Sequence, residues 1–391
     1  MIKNVRKDFP ILKSEIVYFD NSSTSLKPNI VINTINDYYT SYTSNAYRGD
    51  YKNSEYVSLK LDECRSMVST LINCSESEVI FTSNCTDSIN LISTMLNIRK
   101  KDIIVSSILE HHSNLLPWVE KGNIIVVPAK NGIVDLEYLE KVLKENKVKL
   151  VSITAVSNVT GNIQPIKEIC DIVHKYKSFI LLDCCQFVPH NDIDVKKIDC
   201  DFIAFSAHKM CGPTGLGVIY GKKSILKKCR IQKFGGGMVE KINDLNDINY
   251  KEIPYCFEAG TPQIESILGF SSAIRYYLTI GYDYIKEQNK ILNDYFIKKL
   301  NESEKVESLF SINKSHIPVF SIKLKNKKLN KHYLAKILSD SKNICVSAGY
   351  QCCQPLYKSI SEDGGIRVSL QFYNTIDEID YFFETINNLK I

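Results

Sequence analysis

Phe202-Ile203-Ala204-Phe205-Ser206-Ala207-His208-Lys209-Met210-Cys211-Gly212-Pro213-Thr214-Gly215-Leu216-Gly217 joins an apolar, partly aromatic run to a lysine and then to a glycine-rich turn. A short continuous apolar run bounded by turn residues reads as a buried strand. Lys209 therefore stands just past a strand end, where an amine is held rigidly and glycines let another body approach the backbone. An amine that condenses with an aldehyde needs such a fixed, partly dry position. Alone, a lysine on a strand-to-turn connection is an ordinary surface residue. The rest of the chain decides between these readings.

Six further runs have the same character: Glu78-Val79-Ile80-Phe81, Ile103-Ile104-Val105, Ile124-Ile125-Val126-Val127, Leu150-Val151-Ser152-Ile153-Thr154, Phe179-Ile180-Leu181-Leu182 and Gly217-Val218-Ile219-Tyr220. Helical patterns lie between several of them. Leu61, Cys64, Val68 and Leu71 recur at spacings of three and four, and a second pattern covers residues 166–176, entered at Pro165. This alternation predicts an α/β fold with a mainly parallel sheet covered on both faces. A polar, loop-rich stretch over residues 233–258 precedes a C-terminal third that reads as a smaller α+β unit. Helices are expected there near 263–278, 282–301, 331–339 and from 376, with strands near 319–324 and 366–370.

At 391 residues the chain exceeds the size at which one core stops growing, so two domains are expected. Its 44% apolar and 24% charged fractions are those of an ordinary globular protein. The net charge of +5 is spread without a basic tail, which argues against nucleic acid or membrane as the main partner. The first eight residues, Met1-Ile2-Lys3-Asn4-Val5-Arg6-Lys7-Asp8, hold no apolar core of signal-peptide length, and a cytoplasmic location is expected. Thirteen cysteines, none in Cys-x-x-Cys spacing, signal neither a zinc site nor a disulfide framework. No metal is expected.

Ligands of open α/β sheets bind beyond the carboxyl ends of the strands. Asp183 directly follows one apolar run, and a carboxylate there is costly unless it meets a cation such as a protonated ring nitrogen. Gln186 shares its turn, and Asn158 follows the run ending at Thr154. His111, in Glu110-His111-His112-Ser113-Asn114, can stack on a flat ring. Thr82-Ser83-Asn84-Cys85-Thr86-Asp87 opens a helix, where amides and the Thr86 hydroxyl suit a phosphate, with N-capping by Thr86 the plain alternative. Ser206 and His208 are further phosphate donors, and Phe257-Glu258-Ala259-Gly260-Thr261-Pro262 presents the Thr261 hydroxyl. Arg367, on a strand, suits a carboxylate held by two hydrogen bonds. Cys352 and Cys353 lie in Ser347-Ala348-Gly349-Tyr350-Gln351-Cys352-Cys353-Gln354-Pro355, a loop with a mobile look between Gly349 and Pro355.

These motifs, in this order, resemble the class V, fold-type I enzymes that use pyridoxal phosphate. Within them the chain is most similar to the type II cysteine desulfurases and selenocysteine lyases of the SUF sulfur-mobilisation system. The resemblance runs from Tyr18-Phe19-Asp20-Asn21-Ser22 to Tyr373-Asn374-Thr375. It implies a seven-stranded, mainly parallel sheet in a large domain over residues 20–262. Residues 1–19 and 263–391 would form the small domain with the cysteine loop. Lys209 becomes the lysine that joins the cofactor aldehyde, and Asp183 the partner of its ring nitrogen. His111 stacks on the ring, while Asn158 and Gln186 address the ring hydroxyl. Thr86, Ser206 and His208 bind phosphate, joined by Thr261 from the other subunit of a homodimer. Arg367 holds the substrate carboxylate, with Arg48 near the substrate mouth, and Cys352 accepts sulfur. Fifteen positions separate Cys352 from Arg367, as in the short active-site loop of the type II group.

The implied reaction converts L-cysteine to L-alanine and leaves a persulfide on Cys352, which passes to an acceptor protein of the SufU or SufE kind for iron–sulfur cluster or other sulfur biosynthesis. L-selenocysteine is the alternative substrate. Other class V lyases or an epimerase, and a degenerate sulfur carrier, are the competing readings. The chain departs from the family at Ser347, usually arginine, and at Tyr350 and Gln351, usually histidines. Cys353 replaces an alanine, Tyr47-Arg48-Gly49 replaces His-Arg-Gly, and Asn84-Cys85-Thr86 replaces Gly-Thr-Thr.

Overall fold

The computed structural model describes residues 5–326 and 329–389; the reading of Met1 to Asn4, and the outermost part of the expected small domain, lie outside them. All seven apolar runs are strands of one sheet: β1 Val79–Thr82, β2 Ile103–Ser107, β3 Asn123–Val127, β4 Val148–Thr154, β5 Phe179–Asp183, β6 Phe202–Ser206 and β7 Gly217–Gly221. Their spatial order is β1-β7-β6-β5-β4-β2-β3. Only β7 runs antiparallel to its neighbours. Helices shield the sheet with narrow apolar faces, as Ile166–Lys175 does by burying Ile166, Ile169, Cys170 and Val173.

Four strands extend past their apolar runs onto polar residues, Thr82, Ser107, Asp183 and Ser206. Ladder pairing needs only the backbone, so it continues after the hydrophobic signal stops. The register then sets those polar ends in one row. Thr154 pairs with Asp183, Asp183 with Ala204, and Gly217 with both Ser206 and Thr82. Gly217 is required here: a Cβ on it would stand 2.6 Å from Thr82 Oγ1 and 2.5 Å from the Asn84 carbonyl carbon. Its bare backbone lets the chain leaving β1 fold over the sheet edge into the helix Cys85–Met95.

A second, antiparallel sheet contains β8 Val306–Ser308, β9 Val319–Leu324, β10 Ser347–Gly349 and β11 Gly365–Ser369, ordered β8-β9-β11-β10. Its own core gathers Phe296, Phe320, Phe382 and Phe383, with the first two rings stacked at 4.1 Å. Val17 and Phe19 join this core, while Val5, Phe9, Leu12 and the helix Ile264–Ile280 pack into the larger one. The stretch expected to be loop carries a hairpin, Val239–Asp244 with Asp247–Tyr250. Most of its side chains are exposed, so no buried face marked it in the sequence. Among the described residues no helix is long and apolar enough to cross a membrane.

Candidate active site

The carboxyl ends of β1, β2, β4, β5 and β6 meet at a cavity of about 890 Å³, large enough for a cofactor and a small substrate together. Lys209, Asp183, His111, Asn158, Gln186, Thr86, Ser206, His208, Arg367 and Cys352 all line it. The aligned strand ends explain the gathering, because each of the first eight lies within a few residues of one.

Lys209 ends a single tight turn, Ala207–Lys209, directly after β6. The peptide behind it is clamped: the His208 carbonyl accepts from the Ser25 amide at 3.0 Å, the Ser25 hydroxyl at 2.9 Å and the Lys27 amine at 3.0 Å. Asp183 is buried, and one of its oxygens accepts from the Cys185 amide at 3.0 Å, with the Cys85 thiol 3.7 Å away. Both partners are neutral, so the carboxylate still favours an approaching cation. His111 Nδ1 accepts from the Ser113 amide at 3.1 Å, which places the ring proton on Nε2. Burial, with Lys209 and His112 nearby, pushes its pKa down to about 3, and the ring is neutral at physiological pH.

At the start of Cys85–Met95 the cap is Asn84, whose side chain accepts from the Asp87 amide at 2.9 Å. Thr86 is therefore not the cap. Its hydroxyl instead meets the Ser113 hydroxyl at 2.6 Å, while Ser206 Oγ accepts from the Cys85 amide at 2.8 Å. Three hydroxyls at the N-terminus of an eleven-residue helix form a seat for an anion.

The cysteine loop is tied down more firmly than its sequence suggests. Gln351 and Cys352 both have left-handed backbone, at φ 44° and 57°. The Gln351 carbonyl accepts from Asn158 Nδ2 at 2.9 Å, its side chain bonds the Tyr357 hydroxyl, and the Cys352 carbonyl accepts from the His112 amide at 2.8 Å. Asn158 is thus engaged with the loop, as Gln186 is with the Ser22 carbonyl at 2.9 Å. Among the described cysteines only Cys352 is exposed. Cys353, its neighbour, is buried, and burial pushes its thiol up to about 12. Arg367 is buried beside them. Its Nη2 donates to Ser23 Oγ at 2.6 Å and Asp20 Oδ1 at 3.1 Å, its Nη1 to the Asn158 carbonyl at 3.2 Å, and its Nε has no partner.

Two expected site residues are not brought to this cavity by the chain itself. Arg48 and Thr261 line a second cavity of about 620 Å³. Arg48 is held there over the backbone of Gly236 and Gly237. Thr261 follows Glu258, which a bidentate ion pair fastens to the buried Arg65 at 2.8 Å.

Glu110 carries a structural task that its motif alone did not reveal. Its buried carboxyl accepts from the Ser107 hydroxyl, Asn114 Nδ2 at 2.6 Å and the Thr154 amide at 3.0 Å, so it fastens the His111 segment to β2 and β4. Burial raises its pKa from 4.5 to about 8 despite those bonds. The folded state therefore holds the proton more tightly than the unfolded chain. The resulting stability is fully present below pH 4.5 and is lost as pH rises through about 8. Glu110→Gln should flatten that decline, a change on the order of a few kcal/mol across the window, read by urea unfolding at a series of pH values.

The aminotransferase class-V family model matches residues 17–382 of this chain. The chain belongs to the class-V aminotransferase family. Among similar class-V proteins, a probable cysteine desulfurase of Borreliella burgdorferi is 39% identical, over 97% of this chain and 94% of its own length. One from Halalkalibacterium halodurans is 36% identical, over 99% and 97% respectively. The solved apo cysteine desulfurase of Thermococcus onnurineus NA1 superposes with a TM-score of 0.93 at 33% identity, covering 100% of this chain and 99% of that one. Pyridoxal phosphate, the cofactor that goes with this family, suits the donors present. The cavity offers a rigidly based amine, a buried carboxylate with neutral partners and a hydroxyl-lined helix start.

Proposed function

We propose that the chain is a pyridoxal-phosphate-dependent cysteine desulfurase, converting L-cysteine to L-alanine and retaining the sulfur on Cys352 as a persulfide. The observation that carries this reading is the exposed Cys352 thiol on the wall of the same cavity as Lys209 and the buried Asp183. A transferable sulfur needs a reachable thiol, and a cysteine side chain must be activated at its α-carbon before its sulfur can leave. Near full-length similarity to proteins named cysteine desulfurases supports it.

The bound cofactor supplies a sink for the electrons of the substrate's Cα–H bond. Lys209 would hold the cofactor through its aldehyde, and its amine is the group placed to carry the substrate's α-proton. Asp183 would pair with the ring nitrogen and keep it protonated, and the neutral His111 ring would pack against the ring. Thr86, Ser206 and His208 would hold the phosphate, Asn158 and Gln186 would address the ring oxygen, and Arg367 would take the substrate carboxylate. Cys352, as thiolate, attacks the substrate sulfur. An S–S bond forms as the Cβ–S bond breaks, and the carbon fragment keeps that electron pair and gains a proton on its way to alanine. The working form is a homodimer in which a second copy brings Thr261, and with it the Arg48 surface, to its neighbour's site. A small acceptor protein of the SufU or SufE kind then removes the sulfur.

Incubating the purified chain with L-cysteine, with L-selenocysteine in parallel, tests this by mass spectrometry. Alanine and a one-sulfur adduct on the Cys352 peptide are the expected products, and no alanine from either substrate refutes the proposal. Arg367→Lys keeps the charge but loses the planar fork, so the KM for L-cysteine should rise about 10- to 100-fold. Steady-state kinetics should show kcat changing less.

A further inference from the structure

The cavity that Lys209 lines also holds two thiols and a carboxylate. Cys85, Asp183 and Cys185 place their Sγ and oxygen atoms within 4.8 Å of one another, and all three are buried. They come from different elements: Cys85 opens the helix after β1, while Asp183 and Cys185 end and follow β5. The Asp183 carboxylate is fixed by the Cys185 amide at 3.0 Å, and Cys85 is anchored by its own amide to Ser206 Oγ at 2.8 Å. The ligand atoms thus hang from a rigid frame.

Two ligand atoms on one tetrahedral zinc ion stand about 3.5 to 3.8 Å apart, given Zn–S near 2.3 Å and Zn–O near 2.0 Å. A contraction of about 1 Å or less, within reach of side-chain rotation, converts the present spacing to that one. Two thiolates and a carboxylate select a thiophilic d10 cation over magnesium or calcium. All three residues line the cavity, so water can reach the ion from there as a fourth ligand. Three anionic ligands around a divalent ion leave one negative charge, and Lys209, which lines the same cavity, supplies an ammonium of opposite sign.

We infer that Cys85, Asp183 and Cys185 form a zinc-type metal site in the cofactor-free chain. This rests on the reading of the cavity as a cofactor site, because Asp183 then has two alternative occupants, a ring nitrogen or a metal ion. Metal loading and cofactor loading exclude one another. Binding is written Zn²⁺ + 2 RSH + R′CO₂⁻ → [Zn(SR)₂(O₂CR′)]⁻ + 2 H⁺, with no change of oxidation state, so affinity rises with pH.

Cadmium, whose thiolate bonds absorb in the ultraviolet, is the probe. The full chain is stripped of cofactor with hydroxylamine and titrated with cadmium chloride, using Cys352→Ala as background to remove the exposed thiol. One ion per chain and a thiolate–cadmium band are expected. Cys85→Ala and Cys185→Ala should each weaken binding at least about 10-fold, and together abolish the band. In the unsubstituted cysteine pair, saturating pyridoxal phosphate should displace the ion. An unchanged band in the double variant overturns the inference. So does cadmium bound equally well with and without cofactor, a readout that needs no floor variant to fold. Failure of the proposed function registers separately, as no uptake of pyridoxal phosphate by the metal-free chain. Loss of the band in the cysteine variants would still uphold the metal site in that event.

Discussion

Lys209→Ala removes the visible absorption of the lysine-bound cofactor and lowers cysteine turnover by at least about 10³-fold, within the range for loss of a positioned acid–base group. The expectation follows from how the amine is mounted. Its backbone is clamped through four hydrogen bonds to the His208 carbonyl, from Thr24, Ser25 and Lys27, and the clamp does not involve the Lys209 side chain. The substituted chain should therefore fold and keep its cavity. Borohydride reduction followed by peptide mapping checks the point directly: the unsubstituted chain carries a reduced adduct on residue 209, and the variant carries none. An adduct on Lys27, the other half-buried amine near this turn, would reassign the nucleophile.

Cys352→Ala leaves the cofactor spectrum intact and lowers persulfide formation by about 10² to 10⁴-fold, since the sulfur loses its acceptor. Cys353→Ala should cost activity only a few-fold, because that thiol is buried, pushed up to about 12 by burial, and turned toward the Ile108 carbonyl at 3.8 Å. Its main cost is stability, from a lost buried contact. Trapping with an alkylating reagent after a single addition of L-cysteine distinguishes the two. A sulfur adduct on Cys353 and none on Cys352 would falsify the assignment.

Six of the seven strands of the large sheet were legible because they are buried on both faces and so read as unbroken apolar runs, whereas the edge strand β3 keeps its apolar run although Val126 is exposed. The hairpin over Val239–Tyr250 was not, because a mostly exposed ribbon has no buried face to imprint a period on its residues. The cap of the helix Cys85–Met95 illustrates a finer limit. Asn84 and Thr86 are both good capping residues, and only the backbone geometry at Asn84 settles which one does it. The cysteine loop misled in the opposite direction: glycine and proline at its ends suggested mobility, whereas Gln351 ties it to Asn158, Tyr357 and Gly365.

The cysteines draw the line most clearly. Spacing along the chain signalled no metal ligands, and Cys85 and Cys185 sit in motifs a hundred positions apart. Two strands still separate β1 from β5 in the order β1-β7-β6-β5, and the chain leaving β1 closes that gap by folding over Gly217, which sets the Cys85 thiol 3.7 Å from Asp183. What the amino-acid order determined by itself was the succession of strands and helices and the kinds of side chain at each strand end, since both follow from local apolar patterning. Tertiary structure alone decided which of those side chains meet, which thiol reaches solvent, and that His111 is neutral. Those properties depend on register and burial, and both arise only when distant segments pack.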